Sequence, residues 1–109
     1  MKEEKKVAIV TGAGTGVGKA VVQIFLQHGY RVALAGRRKA LLGEVVSEVG
    51  ADPDCTLCQQ TDVTRDADVD RLFDATIDRF GRLDVLFNNA GIGARQVELD
   101  ELPLAEWQA

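Results

Sequence analysis

Apolar positions fall along this chain in two rhythms. Val7-Ala8-Ile9-Val10 is short, wholly apolar and partly β-branched, which predicts a parallel strand covered on both faces. After a cluster of glycines, helical spacing sets in at Val17, Ala20, Val21, Ile24, Phe25 and His28, and Gly29 supplies the stop. Val32-Ala33-Leu34-Ala35 predicts a second strand. Leu42, Val45, Val46 and Val49 mark a second helix, closed by Gly50 and the turn Ala51-Asp52-Pro53-Asp54. A third strand is expected from Thr56 to Gln60. Val69, Leu72, Phe73, Thr76, Ile77 and Phe80 then line one face of a third helix, which Gly81 ends. Val85-Leu86-Phe87 predicts a fourth strand running into Asn88-Asn89-Ala90-Gly91, and a last helix is expected to begin near Leu104.

Strand and helix thus alternate without a hairpin signal. Such alternation makes an α/β fold, a parallel sheet with right-handed crossovers and helices on both faces. The length, 109 residues, suits one small domain. With 46% hydrophobic and 28% charged residues the composition is that of an ordinary globular protein. The formal charge of -4 leaves no basic field for nucleic acid. The mixed-charge start Met1-Lys2-Glu3-Glu4-Lys5-Lys6 carries no secretion signal, and no stretch nears the roughly 20 apolar residues that span a bilayer. No nucleic-acid or membrane partner is expected, and a cytoplasmic location is.

Cys55 and Cys58 form a C-x-x-C, but His28 lies far upstream and a metal needs about four ligands. No metal site is assigned. Within a strand, positions three apart point to opposite faces, so two buried or half-buried thiols are expected rather than a redox pair. Asp66, Asp68 and Asp70 lie around the first turn of the third helix, where carboxylates suit the dipole, and are read as a solvated, well-capped face.

The glycine cluster carries the chemistry. Thr11-Gly12-Ala13-Gly14-Thr15-Gly16-Val17-Gly18 lies directly between a buried strand and an amphipathic helix. That context suits a tight turn that brings backbone N–H groups and the positive end of a helix dipole to a pyrophosphate. Gly12, Gly16 and Gly18 fit those needs, and the hydroxyls of Thr11 and Thr15 can add hydrogen bonds. Ligands of open α/β sheets sit beyond the carboxyl ends of the strands. Gly12, Arg37, Asp62 and Asn89 each follow a strand, so all four are expected on one edge.

The spacing T-G-x-x-x-G-x-G from Thr11 to Gly18 resembles that of the short-chain dehydrogenases/reductases. Asn88-Asn89-Ala90-Gly91 is similar to a second element of that family, and Asp62-Val63 to a third, the position that contacts the adenine ring. The resemblance runs from Lys6 onward. It implies a Rossmann-like doubly wound parallel sheet, present in part: four strands in the order 3-2-1-4, three intervening helices and the start of a fourth. Residues 1–109 are expected to form a partial NAD(P)-binding domain without the catalytic half. The implied activity is hydride transfer between a nicotinamide cofactor and an alcohol or carbonyl substrate; the other reading is a non-catalytic nucleotide-binding or interaction module. The expected cofactor-binding residues are Gly12, Gly14, Thr15, Gly16, Val17, Gly18, Arg37, Arg38, Asp62, Val63, Asn89, Ala90 and Gly91.

Cofactor choice rests on the end of the second strand. Where NAD sites place an acid for the ribose 2′-OH, this chain has Gly36, Arg37 and Arg38. Guanidinium groups pair with a 2′-phosphate in a fork, so NADP is favoured over NAD, although Thr15 stands where many NADP-preferring members carry a second basic residue. The family's catalytic Ser and Tyr-x-x-x-Lys are not found. The one tyrosine, Tyr30, is followed by Arg31, Val32, Ala33 and Leu34, and is expected to pack at a helix end. No catalytic residue is assigned. The ending at Glu106-Trp107-Gln108-Ala109, without stop signal or cap, reads as a cut, and the intact protein is implied to be a homodimer or homotetramer.

Overall fold

The computed structural model describes residues 5–14 and 16–89. Four strands, β1 (Val7–Thr11), β2 (Arg31–Gly36), β3 (Thr56–Gln60) and β4 (Val85–Asn88), alternate with three helices, α1 (Gly16–Gln27), α2 (Lys39–Val49) and α3 (Asp66–Phe80). All pairings are parallel, in the order β3-β2-β1-β4 expected for a doubly wound sheet. The helices stop where the sequence places Gly29, Gly50 and Gly81. The expected helix near Leu104 lies outside the described residues.

Alternation along the strands explains the two cores. Ile9, Ala33, Ala35 and Leu86 point to one face, where Val69 and Leu72 of α3 cover them. Val10, Val32 and Leu34 point to the other, beneath Val22 of α1 and Leu42 and Val45 of α2. β1 and the centre of β2 are buried throughout, which is why both read as continuous apolar runs. No helix among the described residues is long and apolar enough to cross a membrane.

Two helix faces differ from the expected ones. α1 buries Gly18 and Val22, with Val21, Phe25 and Leu26 partly covered, while Val17 is 61% and Ile24 53% exposed. His28 is exposed, its Nδ1 within 2.9 Å of the Ile24 carbonyl oxygen. The close approach of Gly18 to Gly12, just past the end of β1, fixes which face of the helix turns inward. On α3 Ile77 is 47% exposed, while Val69, Leu72, Thr76 and Phe80 are buried. Tyr30 packs against Phe25 with ring centroids 4.9 Å apart. Cys55 belongs to a single 3₁₀ turn, Pro53–Cys55, rather than to β3; Cys58 lies in the strand, and both thiols are free and half-buried. Burial pushes the Cys58 thiol up, against the pull of the Lys39 ammonium.

The first residue of β1 is latched to the residue that leads into β4. Asp84 Oδ2 accepts the Val7 N–H at 2.9 Å and Arg82 Nε at 2.9 Å, while Oδ1 accepts Arg82 Nη2 at 2.7 Å. The Asp84 N–H donates in turn to the Val7 carbonyl at 2.8 Å. This latch fits the register in which Thr11 faces Asn88, and on its other side Thr11 faces Ala35, so the strand exits line up.

Candidate functional site

Beyond Thr11 the chain turns sharply through Gly12, whose φ of +62° lies in the left-handed region that glycine adopts without penalty. The Ala13 N–H hangs the turn on β2 through the Ala35 carbonyl at 3.1 Å. α1 then folds back so tightly that a Cβ on Gly18 would lie 2.0 Å from the Gly12 carbonyl oxygen. No side chain but hydrogen fits there. The first turn of α1 carries no acidic residue, so its free N–H groups and dipole are open to an anion. Gly14 lies against Leu41, where a Cβ would stand 3.2 Å from that side chain, and Val17 lies exposed at the start of the helix. Thr15 is outside the described residues.

β4 braces this turn from the other side. The Thr11 hydroxyl donates to Asn88 Oδ1 at 2.8 Å and accepts the Asn89 N–H at 2.9 Å. Asn89 Nδ2 donates to the Gly12 carbonyl at 3.4 Å. Thr11 is therefore buried and engaged with β4, and the expectation that its hydroxyl serves a phosphate is corrected. Asn88 is thus part of the brace as well, beside Asn89. Ala90 and Gly91 lie outside the described residues.

On the far side of β1, Arg37 and Arg38 leave β2 as exposed side chains. A cavity of about 390 Å³ opens between them and the glycine turn, bordered by Gly12, Gly14, Gly36 and Leu41. A second, of about 540 Å³, lies between the exits of β2 and β3 and the start of α3. Arg37 borders both; Arg38 borders only the first. Lys39 and Arg65 face the larger cavity too, although no motif in the sequence marks them. Their only signal was position, each being a cation within a few residues of a strand exit. Arg38 and Arg65 occupy the cap positions of α2 and α3 without a side-chain cap bond, and α2 has no acid in its first turn. Cations at a helix N-terminus meet the positive end of the dipole, a mismatch that a bound anion relieves.

Asp62 closes the larger cavity. Its Oδ1 accepts the Thr64 hydroxyl at 2.6 Å and the Thr64 N–H at 3.0 Å. Those two bonds, with the nearby charges of Arg37 and Arg65, outweigh desolvation and hold the Asp62 carboxyl below the usual carboxylate range. The Asp62 N–H is taken by Asp68 Oδ2 at 2.9 Å. Asp68 is thus tied to the loop, not merely part of the solvated face expected for the first turn of α3. Among the described residues, the Val63 N–H finds no acceptor and Asp62 Oδ2 no donor. A donor and an acceptor are left on consecutive residues, a complement to the edge of a base that offers an amino group beside a ring nitrogen. Gln60 Nε2 donates to the Arg37 carbonyl at 3.1 Å, and the Thr61 N–H to the Gly36 carbonyl at 2.8 Å, so the exits of β2 and β3 are fixed to each other.

Gly12, Arg37, Asp62 and Asn89 therefore do gather at one edge of the sheet. The short chain dehydrogenase family matches residues 6–109. Momilactone A synthase of Oryza sativa subsp. japonica is 41% identical over 87 residues, covering 80% of this chain and 31% of that protein. The structure of 3-ketoacyl-(acyl-carrier-protein) reductase from Brucella melitensis complexed with NADH is 37% identical, with a TM-score of 0.69 over 76% of this chain and 33% of that one. The C-domain of a bacterial malonyl-CoA reductase, solved with NADP, is 29% identical with a TM-score of 0.71, over 80% of this chain and 15% of that one. The chain spans 31% to 40% of the length of three of the curated relatives it matches. With its parallel sheet wound β3-β2-β1-β4, a glycine turn at the exit of β1 and a family match over residues 6–109, the chain belongs to the short-chain dehydrogenase family.

Proposed function

We propose that this chain is the nucleotide-binding part of an NAD(P)-dependent oxidoreductase and that it prefers NADP. The observation that carries the proposal is the convergence, on one sheet edge, of a glycine-rich helix start at Gly16 to Gly18 with no acidic side chain, a cationic cavity at Arg37, and the donor–acceptor corner of Asp62 and Val63. In this reading Gly12, Gly14, Thr15, Gly16, Val17 and Gly18 hold the pyrophosphate. Arg37 and Arg38 hold the 2′-phosphate, with Lys39 and Arg65 facing it across the larger cavity. Asp62 and Val63 receive the adenine, and Asn89, Ala90 and Gly91 floor the ribose. The bound nicotinamide would supply a hydride for exchange with an alcohol or carbonyl carbon. That exchange belongs to a protein of the relatives' length, for which a homodimer or homotetramer is proposed.

The NADP preference is supported by charge. Three successive cations, Arg37, Arg38 and Lys39, stand at the start of α2 with no acid in its first turn. A 2′-phosphate there pairs with guanidinium groups and meets a favourable dipole. Titration of the chain with NADPH and NADH is expected to give tighter NADPH binding by roughly tenfold or more, as charge-assisted hydrogen bonds warrant. Arg37→Ala and Arg65→Ala should each narrow that ratio while leaving NADH binding nearly unchanged. Equal affinities in the wild type defeat the NADP preference, and failure to bind either dinucleotide defeats the whole reading.

A further inference from the structure

We propose that Asp68 is a positioning residue for base recognition: by holding the Asp62 N–H it leaves Asp62 Oδ2 and the Val63 N–H as the pair that reads adenine. The inference rests on the nucleotide-binding reading above.

Asp68 is the third residue of α3, where a carboxylate ordinarily serves the N–H groups at the helix's own start. Here one oxygen reaches outside the helix to the strand-exit loop, 2.9 Å from the Asp62 nitrogen. The other is held by Arg71 Nη2 at 2.5 Å, and the Asp68 side chain is only 17% exposed. Both oxygens are thereby fixed, and with them the plane of the carboxylate. The effect on the loop is selective. Asp62 and Val63 offer two consecutive N–H groups and one carboxylate; Asp68 consumes the first N–H, and Thr64 consumes one carboxylate oxygen. One donor and one acceptor remain. Adenine presents the complementary pair, an amino donor beside an acceptor nitrogen. Hypoxanthine reverses both groups, with a carbonyl in place of the amino group and an N–H in place of the ring acceptor. Without Asp68 the loop keeps its Thr64 bonds but gains a second free donor, and the Asp62–Val63 peptide loses the bond that sets its plane. The glycine turn and the cations of α2 do not touch Asp68, so phosphate binding should survive where base selectivity does not.

The test uses the 109-residue chain with ADP-ribose and its hypoxanthine counterpart, inosine diphosphate ribose. The wild type is expected to favour ADP-ribose by roughly tenfold, since a mismatched hydrogen-bonding edge leaves buried groups unpaired. Asp68→Asn retains an oxygen that can accept the Asp62 N–H and should keep that ratio. Asp68→Ala, and Asp68→Ser whose shorter arm cannot reach, should bring it to within about twofold, while binding of inorganic pyrophosphate is unchanged. A purely structural role would lower both affinities together and leave the ratio intact, which overturns the proposal. Amide exchange on the wild type tests it without any variant. The Asp62 N–H should be protected with or without ligand, and the Val63 N–H only with ADP-ribose; an unprotected Asp62 N–H in the free chain also overturns the proposal. A wild type that binds both ligands equally likewise overturns the proposal, whereas one that binds neither refutes instead the nucleotide reading beneath it.

Discussion

Glycine at position 18 and glycine at position 43 are the same residue under opposite constraints. A methyl group at Gly18 meets the Gly12 carbonyl oxygen at 2.0 Å and its carbon at 2.8 Å, both backbone atoms that cannot step aside. Gly43 lies inside α2, exposed, with nothing within 4 Å of the corresponding position. Gly18→Ala is therefore expected to cost more than about 2 kcal/mol, because the strand exit and the helix start must separate. Gly43→Ala should stabilise by about 0.5 to 1 kcal/mol, through the backbone freedom that glycine loses in a helix interior. Urea denaturation of the two variants checks both signs. Dinucleotide binding should vanish in the first and persist in the second.

The periodic elements were legible in the sequence because each helix and strand repeats its apolar positions over several turns or pleats. The rotation of α1 was not. Its apolar residues Val17, Val21, Val22, Ile24, Phe25 and Leu26 ring most of the helix, so spacing alone offers more than one inward face. What selects the face is the contact of Gly18 with Gly12, and Val22, Phe25 and Leu26 follow it at helical intervals. The gathering of Gly12, Arg37, Asp62 and Asn89 was legible because strand exits of a parallel sheet share an edge. Lys39, Arg65 and Asp68 were not, since their place depends on how the loops after β2 and β3 fold against each other. The latch of β4 onto β1 was hidden for the same reason: Asp84 and Val7 stand 77 positions apart. Desolvation pushes the Asp84 carboxyl up, but the Arg82 bonds, the Val7 N–H and the charges of Arg82 and Lys6 outweigh it and hold the group below its ordinary value. A lowered folded-state value stabilises the protein above the ordinary carboxylate range, and that stabilisation is lost as pH falls through the lowered value. Urea midpoints measured from about pH 6 down to about pH 2 should therefore fall less steeply in Asp84→Asn than in the wild type. The same variant should already be weaker near neutrality by about 1 kcal/mol or more, from the charge-assisted bonds it loses.

At the scale of the whole molecule, charge and site are separated. The chain is acidic, at -4 net, yet Arg37, Arg38, Lys39 and Arg65 gather at the edge where the strands end. A polyanionic ligand is thus drawn to one place on a chain that otherwise repels it, and the attraction there is exposed enough to weaken as salt screens it. Ligand that binds the folded chain alone stabilises it by mass action, by about 2.7 kcal/mol at a hundred times the dissociation constant and about 1.4 kcal/mol at ten times. If NADPH binds tenfold more tightly than NADH, one concentration that meets the first condition for NADPH meets the second for NADH. The difference, about 1.3 kcal/mol, corresponds to a melting temperature roughly 5 °C higher with NADPH for a chain of this size. Raising the salt should shrink that gap by weakening the cationic contacts while sparing the glycine turn and the adenine corner, which the two cofactors share. Thermal unfolding with each cofactor at low and at high salt measures both effects. A gap that is absent, or that persists unchanged in high salt, would mean that the cations at the start of α2 do not distinguish the two.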